Sequence, residues 1–147
     1  MQNVSVIIPT LNAQATVGKL LEYLSHQNVN ILIIDSSSSD NTIKIAKQYN
    51  VEYIIIPKES FDHGGTRTLG AKHCKNAEFL IFLTQDAMPY EEDTLKNILL
   101  PFQDKKVGAV HGRQIANPDE TIFGEHLRLF NYKPISYVRS YEDKEQY

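Results

Sequence analysis

Four short apolar runs recur along the first part of the chain and constrain what it can fold into. They are Val4–Pro9, Asn30–Ile34, Glu52–Ile56 and Phe79–Leu83. Each has the length of a strand, and such nearly continuous apolar runs are typical of strands buried on both faces of a parallel sheet. The runs therefore predict a mostly parallel central sheet.

Apolar residues with helical spacing lie between these runs and predict three helices. They are Val17, Leu20, Leu21 and Leu24 for the first helix, Ile43, Ala46 and Tyr49 for the second, and Leu69, Ala71 and Cys74 for a third that is expected to begin near Thr66. The alternation of strands and helices predicts an α/β fold with a doubly wound sheet and right-handed crossovers.

The second part of the chain has weaker patterns. A fourth helix is expected to start at Pro89–Asp93, because carboxylates suit the positive end of a helix dipole. A short strand is predicted at Val107–Val110, and Pro118-Asp119 is expected to begin a last helix. The predicted apolar faces consist of Leu95, Ile98, Leu99 and Phe102 in the fourth helix, and of Ile122, Phe123, His126, Leu127 and Phe130 in the last.

Composition narrows the class of protein. A chain of 147 residues can bury a real core. Its formal net charge of −3 disfavours a nucleic-acid binder, because such domains usually carry a basic excess. Cys74 is the single cysteine, so no internal disulfide can form. We recognise no signal peptide and no apolar run long enough to span a bilayer, and we expect a cytoplasmic protein.

Polar residues follow the predicted strands where those strands end. They are Pro9, Thr10 and Asn12 after the first strand, Asp35 and Ser36 after the second, the loop Lys58–Gly65 after the third, and Gln85 and Asp86 after the fourth. Ligands of parallel α/β sheets bind outside the carboxyl ends of the strands, near the point where the strand order reverses. We therefore expect these residues to converge on one crevice that accepts a nucleotide or nucleotide sugar.

The glycine-rich stretch Phe61–Gly70 is the expected contact of a diphosphate. Gly64 and its neighbour Gly65 let the backbone approach a ligand closely, and a loop of free amides that opens a helix suits phosphate. Arg67 can form a bidentate contact with phosphate, and His63 can hydrogen-bond a phosphate or a sugar hydroxyl. The alternative is a flexible surface loop with a solvated Arg67.

Two carboxylates end predicted strands. Asp35 can accept hydrogen bonds from a base N–H or a ribose hydroxyl, although a loop residue that caps the next turn is the alternative. Asp86 can hold a divalent cation, because a metal on a diphosphate needs only one or two protein carboxylates. Its alternative is a helix cap. Gln85 is neutral, and its side chain can project away from that of Asp86.

Other patterns carry less weight. His111-Gly112-Arg113-Gln114 suits a sugar or acceptor contact as well as it suits a solvated turn. The chain lacks a Gly-x-Ser-x-Gly elbow, a Gly-x-x-x-x-Gly-Lys-Ser/Thr phosphate loop and zinc-ligand spacing. The glycines of Gly64–Gly70 do not have the spacing of a dinucleotide fingerprint, which disfavours hydride chemistry.

Taken together, these residues resemble family 2 glycosyltransferases, which have the GT-A (Rossmann-like) fold. The resemblance rests on Val4–Asn12, Ile33–Thr42 and the strand that ends before Asp86, and it runs from about Val4 to Tyr132. The segments that resemble the rhamnosyltransferase-type branch are Phe61–Gly70, Leu83–Ala87, Gly112–Gln114 and Phe130–Tyr132.

The resemblance implies a three-layer α/β/α enzyme that binds a nucleoside-diphosphate sugar, with dTDP- or UDP-sugars as the expected donors. An inverting enzyme of this kind transfers a sugar, here suggested to be rhamnose, to a glycan or lipid-linked acceptor in cell-surface polysaccharide synthesis. It would work in the cytoplasm, with peripheral association at the inner face of the membrane. Thr10, Asn12 and Asp35 would surround the nucleoside, and Arg67 would lie near the diphosphate. Asp86, the last residue of an Asp-x-Asp motif reduced here to Thr84-Gln85-Asp86, would bind Mn²⁺ or Mg²⁺.

The resemblance also divides the chain. Residues 1–131 are expected to form the nucleotide-sugar-binding domain, and residues 132–147 to begin an acceptor-binding region of a longer enzyme. The family's general base belongs to a late acidic pair that we expect beyond Tyr147, since Glu142-Asp143 has the context of a solvated helix.

Two other functions remain as alternatives. A sugar-phosphate nucleotidyltransferase would carry a glycine-rich basic loop after the first strand, where this chain has Pro9–Ala13. A non-catalytic, receiver-like nucleotide-binding module would need an acidic cluster at the same place, and the sequence has none there.

Overall fold

The computed structural model describes residues 3–116 and 121–146, with side chains as far as Asp143. Residues 1–94 and residues 95–147 form two compact units, which are described separately. The predicted boundary between residues 131 and 132 stays a prediction. The strands are β1 (Val4–Thr10), β2 (Asn30–Asp35), β3 (Glu52–Ile55) and β4 (Phe79–Phe82), and the helices are α1 (Val17–Ser25), α2 (Thr42–Gln48), α3 (His63–His73), α4 (Thr94–Leu99) and α5 (Ile122–Asn131).

The first unit is built on a parallel sheet with the order β3-β2-β1-β4. Every pair of neighbouring strands in this sheet is parallel, as predicted. The chain runs outward from β1 through β2 to β3 and then returns to β4 on the other side of β1. The strand order therefore reverses between β1 and β4, and this reversal marks the edge where a ligand of such a sheet binds.

Right-handed crossovers put the helices on both faces of the sheet. The path from β1 to β3 places α1 and α2 on one face, and the return to β4 places α3 on the other. The residues of α1 that were predicted to face the core are buried: Val17, Leu20, Leu21 and Leu24. Burial of a large aliphatic side chain contributes roughly 1.5–3 kcal/mol, so this face anchors α1 on the sheet.

Helix α3 packs closely on the opposite face. Ile7, Leu32 and Ile34 form a buried cluster there, and Cys74 at the end of α3 packs against it. A Cβ added to Gly70 would lie 2.6 Å from Cγ2 of Ile7 and 3.0 Å from Cδ1 of Ile34. The absence of a side chain at Gly70 therefore lets the helix approach the strands.

Helix α3 differs from its prediction in its start and in its buried face. It begins at His63 rather than near Thr66, because the carboxylate of Asp62 caps its first turn. Thr66 and Gly70 are its buried residues, whereas Leu69 is 39% exposed. The close contact at Gly70 turns the small residues of the helix toward the sheet.

Helix α4 also begins later than expected, at Thr94 instead of within Pro89–Asp93. The amide of Glu91 donates to Oγ1 of Thr94 over 2.9 Å, and the amide of Thr94 donates back to the carbonyl of Glu91. This local turn takes up the residues that were predicted to open the helix.

The predicted strand Val107–Val110 is wrong. The amide of Val107 donates to the carbonyl of Asp104 in a turn, and none of the described strands pairs with this segment. A strand needs a neighbour for its backbone groups, which a short apolar run cannot supply by itself. In α5, Thr121 Oγ1 accepts from the amide of Gly124, while the predicted start at Pro118-Asp119 lies outside the described residues.

Candidate functional site

The carboxyl ends of β1 and β2 meet in a buried hydrogen-bonded pair. Thr10 and Asp35 lie opposite each other in the parallel register, and Thr10 Oγ1 donates to Asp35 Oδ1 over 2.9 Å. The Asp35 carboxylate also accepts from the amide of Ser38 at 2.8 Å and from its hydroxyl at 2.6 Å. Asp35 is 1% exposed, and these donors satisfy its buried oxygens. Three of its acceptor positions are thus engaged within the chain.

The turns that follow β1 and β2 are bonded to each other. The amide of Asn12 donates to Ser38 Oγ over 2.8 Å, and Asn12 Oδ1 accepts from the amide of Ser39 over 2.9 Å. Asn12 and Ser37 adopt left-handed backbone conformations, with φ of 50° and 59°. Asparagine tolerates this conformation better than most residues. The predicted nucleoside contacts therefore belong to one prearranged pair of turns.

A second layer of hydrogen bonds supports these turns. The amide of Ala13 donates to Thr42 Oγ1 over 2.8 Å, and the amide of Gln14 donates to Asp40 Oδ2 over 3.0 Å. Burial raises the pKa of Asp40, but hydrogen bonds from the Thr42 hydroxyl and from the Gln14 and Thr42 amides outweigh it. The pKa of Asp40 therefore lies below its ordinary value, and the carboxylate remains ionised at neutral pH.

The start of α3 corrects the expected diphosphate loop. Asp62 Oδ1 accepts from the amides of Gly64 and Gly65, each over 2.9 Å, so these amides are not free. The same two hydrogen bonds lower the pKa of Asp62. Nη1 of Arg67 donates to the carbonyl of His63 over 2.8 Å, a bond that uses one of the guanidinium nitrogens. His63 is exposed, and its ring makes a T-shaped contact with the ring of Phe61, with 5.1 Å between the centroids.

Two buried hydroxyls in the first unit are unsatisfied. Ser36 Oγ and Thr66 Oγ1 have no hydrogen-bond partner among the described residues. The amide of Ser36 does donate to the carbonyl of Thr10, which continues the β1–β2 pairing by one residue. Since buried polar groups are normally paired, each of these hydroxyls can bond to water or to a ligand.

The turn after β4 carries Asp86 at the surface. Asp86 is exposed, and the amide of Ala87 donates to the carbonyl of Thr84 to close the turn. Gln85 points the other way: its side-chain amide makes two hydrogen bonds to the backbone of Leu11, on the neighbouring strand end. Both polar atoms of the Gln85 side chain thus bond to the protein backbone, and not to a nucleotide as predicted.

The donor set around Asp86 fits a cation that is held mainly by a ligand. The described residues contain no group of three or more His, Cys, Asp and Glu side chains that could hold a metal alone. Magnesium and manganese on a diphosphate need only one or two protein carboxylates, because phosphate oxygens and water complete the octahedron. An exposed carboxylate beside a nucleotide site meets that requirement.

The candidates in the second unit form separate contacts. His111, Gly112, Arg113 and Gln114 are all exposed. The ring of His111 meets Tyr132 and Tyr137 at centroid distances of 6.5 Å and 6.1 Å. Gln114 accepts a hydrogen bond from Arg128. These contacts show local order around His111 but do not select between the two predicted roles.

Asp143 of the acidic pair Glu142-Asp143 has a structural role in a short helical turn. Asp143 Oδ2 accepts from the amide of Ser140 over 2.8 Å and from its hydroxyl over 2.9 Å. These hydrogen bonds lower the pKa of Asp143, which makes it a weaker base.

No helix of the described residues is long and apolar enough to cross a membrane.

A cavity of about 200 Å³ lies at the opposite, amino edge of the sheet. Its lining includes Asn30, Glu52, His73 and Cys74, and His73 Nε2 lies 2.7 Å from Glu52 Oε1. Parallel α/β sheets bind ligands at the other edge. We therefore assign the candidate site to the carboxyl edge, where the polar turns converge.

Sequence reasoning missed five residues that build this edge. They are Gln14, Ser38, Ser39, Asp40 and Thr42. Asp40 and Thr42 come immediately before a helical pattern, and side chains of this kind bond to the nearby backbone. This spacing could have identified these two residues. The partners of Gln14 and Ser39 are tertiary, and no local pattern indicates them.

The parallel sheet and the polar turns on both sides of its switch point define the class: an α/β protein whose ligand site lies at the carboxyl edge. The model of the family described as Glycosyl transferase family 2 matches residues 5–146. The O-antigen chain rhamnosyltransferase RfbN of Salmonella typhimurium is 36% identical over 97% of this chain and 47% of its own length.

Solved structures show the same fold. The mannosyltransferase PcManGT from Pyrobaculum calidifontis, in complex with GDP-Man and Mn²⁺, superposes with a TM-score of 0.61 at 21% identity, over 72% of this chain and 34% of its own. TarS of S. aureus gives a TM-score of 0.58 at 25% identity, over 79% of this chain and 23% of its own. These similarities confirm the predicted GT-A fold.

The chain belongs to glycosyl transferase family 2. It spans about half the length of the curated relatives it matches. Membership of this family confirms the resemblance seen in the sequence.

Proposed function

We propose that this chain is the donor-binding part of a glycosyltransferase and binds a nucleoside-diphosphate sugar at the carboxyl edge of its sheet. The observation that carries the proposal is the bonded pair of turns after β1 and β2, which stands across the switch point from the exposed Asp86. Site geometry and family membership support the same donor class. Both disfavour a nucleotidyltransferase and a receiver-like module.

In this proposal the two turns receive the nucleoside. Thr10, Asn12 and Asp35 line the place where the nucleoside binds. Oδ2 of Asp35 accepts one hydrogen bond within the chain, so it can accept a second one from the nucleoside. Pro9 and Ser36 fix the strand ends by their backbone positions. Because these residues are hydrogen-bonded to one another, little ordering is needed when the nucleoside binds.

The diphosphate lies between α3 and Asp86 in this proposal. Arg67 offers guanidinium donors that its single bond to the His63 carbonyl does not use, and charge-assisted bonds to phosphate are strong. Asp86 would hold Mn²⁺ or Mg²⁺, which when bound acts as a Lewis acid on the diphosphate. Gly64 and His63 lie in the first turn of α3, and in this proposal the surface of that turn contacts the diphosphate.

The proposed reaction moves one glycosyl group. The bond between the anomeric carbon and the diphosphate oxygen breaks, and that oxygen keeps the electron pair. An acceptor hydroxyl oxygen forms the new bond to the anomeric carbon, with inversion, and its proton passes to a general base. The hydrogen bonds of Asp143 to Ser140 disfavour Asp143 as this base.

The finer identity of the substrates is supported by the relatives. Two Salmonella proteins, each 36% identical to the chain, are named O-antigen chain rhamnosyltransferases. We therefore propose dTDP-rhamnose as the donor, with a UDP-sugar as the second choice, and a growing glycan on a lipid carrier as the acceptor. Work on such an acceptor implies a cytoplasmic enzyme at the inner face of the membrane, held there peripherally.

Calorimetric titration of the chain with dTDP-rhamnose, UDP-glucose and GDP-mannose, each with and without Mn²⁺, tests this proposal. We expect binding of dTDP-rhamnose that Mn²⁺ strengthens. A stronger response to UDP-glucose or GDP-mannose would keep the donor class and change the nucleotide. Absence of binding to all three donors in the presence of Mn²⁺ would contradict the proposal.

A further inference from the structure

We propose that Gln85 is a positioning residue that couples the nucleoside turn after β1 to the carboxylate of Asp86. The inference rests on the proposed function, because it assigns a role within the same donor site. Both polar atoms of the Gln85 side chain hydrogen-bond to the backbone of Leu11. Gln85 therefore acts through Leu11 and Asp86 and not on the sugar.

The Gln85 side chain bonds to both polar groups of one residue. Its Oε1 accepts from the amide of Leu11 over 2.8 Å, and its Nε2 donates to the carbonyl of Leu11 over 3.2 Å. A primary amide carries a donor and an acceptor side by side, as a strand backbone does. A carboxylate accepts only, so glutamate at this position can make one of the two bonds.

This pair of bonds lies where the backbone ladder has stopped. Strands β1 and β4 pair as far as Ile7 and Phe82, and the amide of Leu83 then donates to the carbonyl of Ile7. Ligands of sheets of this kind bind in a crevice at such a switch point, just beyond the end of the paired strands. The Gln85 amide bridges the two turns there, across 74 residues of sequence.

The residues on either side of the bridge are the proposed ligand contacts. Leu11 stands between Thr10, which donates to Asp35, and Asn12, which bonds to Ser39. Asp86 follows Gln85 directly. The bridge therefore sets the separation between the nucleoside turn and the metal-binding carboxylate. One nucleoside diphosphate can use both ends of the site only when that separation is correct.

The test is the gain in affinity that Mn²⁺ gives to dTDP and UDP, defined as the Kd without the metal divided by the Kd with it. Calorimetry would compare the unaltered chain with Gln85→Ala and Gln85→Glu. Gln27→Ala is the matched control, because Gln27 Nε2 also donates to a distant carbonyl, that of Glu92, at 3.3 Å. We expect Gln85→Ala to reduce the gain at least fivefold, Gln85→Glu to reduce it as well, and Gln27→Ala to leave it within twofold.

Hydrogen exchange gives a readout that needs no ligand. The Leu11 amide should exchange faster in Gln85→Ala than in the unaltered chain, whereas Gln85→Glu keeps an acceptor for this amide and should retain part of the protection. If Gln85→Ala does not fold, the comparison of Gln85→Glu with the unaltered chain remains. Equal loss of thermal stability in Gln85→Ala and Gln27→Ala with an unchanged Mn²⁺ gain would show a merely structural role and overturn the inference.

The outcomes separate this inference from the proposed function. Binding with an Mn²⁺ gain in the unaltered chain, retained in both Gln85 variants, would overturn the role of Gln85 alone. Binding without any Mn²⁺ gain would overturn the coupling together with the metal role of Asp86. Absence of dTDP and UDP binding in the unaltered chain would overturn the proposed function itself.

Discussion

Asp35 is the residue on which the arrangement of the candidate site depends most. Its carboxylate is buried and accepts hydrogen bonds from Thr10 and from both donors of Ser38. Removal of a buried acceptor leaves its donors without partners, and such orphaned groups are costly. The residue therefore fixes the pair of turns that follow β1 and β2.

Asp35→Ala should lower the free energy of unfolding by about 3 kcal/mol, because the Thr10 and Ser38 donors lose their buried acceptor. Urea denaturation at neutral pH measures this change. Thr10→Val, which removes one neutral donor, is the control and should cost about 1 kcal/mol. An Asp35→Ala chain as stable as Thr10→Val would show that the buried network contributes little.

Asp86→Ala should act on ligand affinity and leave stability almost unchanged. Asp86 is exposed at the turn after β4, and surface substitutions of this kind change stability by about 0.5 kcal/mol or less. The Mn²⁺-dependent part of donor binding should be lost in calorimetric titrations. Full retention of that metal dependence would remove Asp86 from the site.

At the scale of the element, helix α3 depends on its first turn. Asp62 accepts from the Gly64 and Gly65 amides, and a Cβ on Gly65 would lie 2.1 Å from Asp62 Oδ2. Glycine at this position therefore allows the carboxylate to sit against the helix end. Capping of this kind satisfies amides that a helix start otherwise leaves unpaired.

Asp62→Asn should destabilise the chain in a pH-dependent way. The hydrogen bonds from Gly65 and Gly64 lower the pKa of Asp62 in the folded state. Its contribution is therefore present above the ordinary carboxyl pKa and is lost as the pH falls through the lower, folded-state value. Thermal unfolding at pH 6 and at pH 3 should show a difference between the two chains that shrinks at pH 3. Glu59→Gln, in the exposed turn before α3, is the control, because it removes a carboxylate that does not cap the helix.

The contact between α3 and the sheet can be tested with a matched pair of glycines. Gly70→Ala should cost about 1–3 kcal/mol, because its Cβ would overlap Ile7 in a packed core. Gly18→Ala in α1 should instead stabilise by about 0.5 kcal/mol, since its Cβ would meet Ile45 Cγ2 at an ordinary 3.8 Å. Chemical denaturation measures both. Equal effects would mean that α3 does not pack on the sheet as described.

At the scale of the whole molecule, the sequence predicts those strands and helices that depend on the pattern of nearby residues. The strands of the parallel sheet are recognisable because burial on both faces makes them continuously apolar, as in β1 and β2. The start of α3 was predicted late because the cap of Asp62 on two glycines outweighs their poor helix propensity. Val107–Val110 has strand composition, but a strand also needs a partner, which composition does not reveal.

The site shows the same limit. The places of Thr10, Asn12, Asp35 and Asp86 at the carboxyl edge of the sheet could be predicted, because the topology brings the ends of the parallel strands to one edge. Their contacts with a ligand stay predictions. The inward orientation of Gln85 could not be predicted, since its partner Leu11 is 74 residues away in sequence. Contacts of this kind depend on the register of folded strands and leave no local pattern.

The central claim is that the carboxyl edge of the sheet binds a nucleoside diphosphate, and amide chemical-shift mapping of the ¹⁵N-labelled chain tests it most directly. Titration with dTDP or UDP in Mg²⁺ should shift the amides of Thr10–Asn12, Asp35–Ser39 and Gln85–Ala87. Shifts confined to the amino-edge cavity around Glu52 and His73, or no shifts at saturating nucleotide, would contradict the claim.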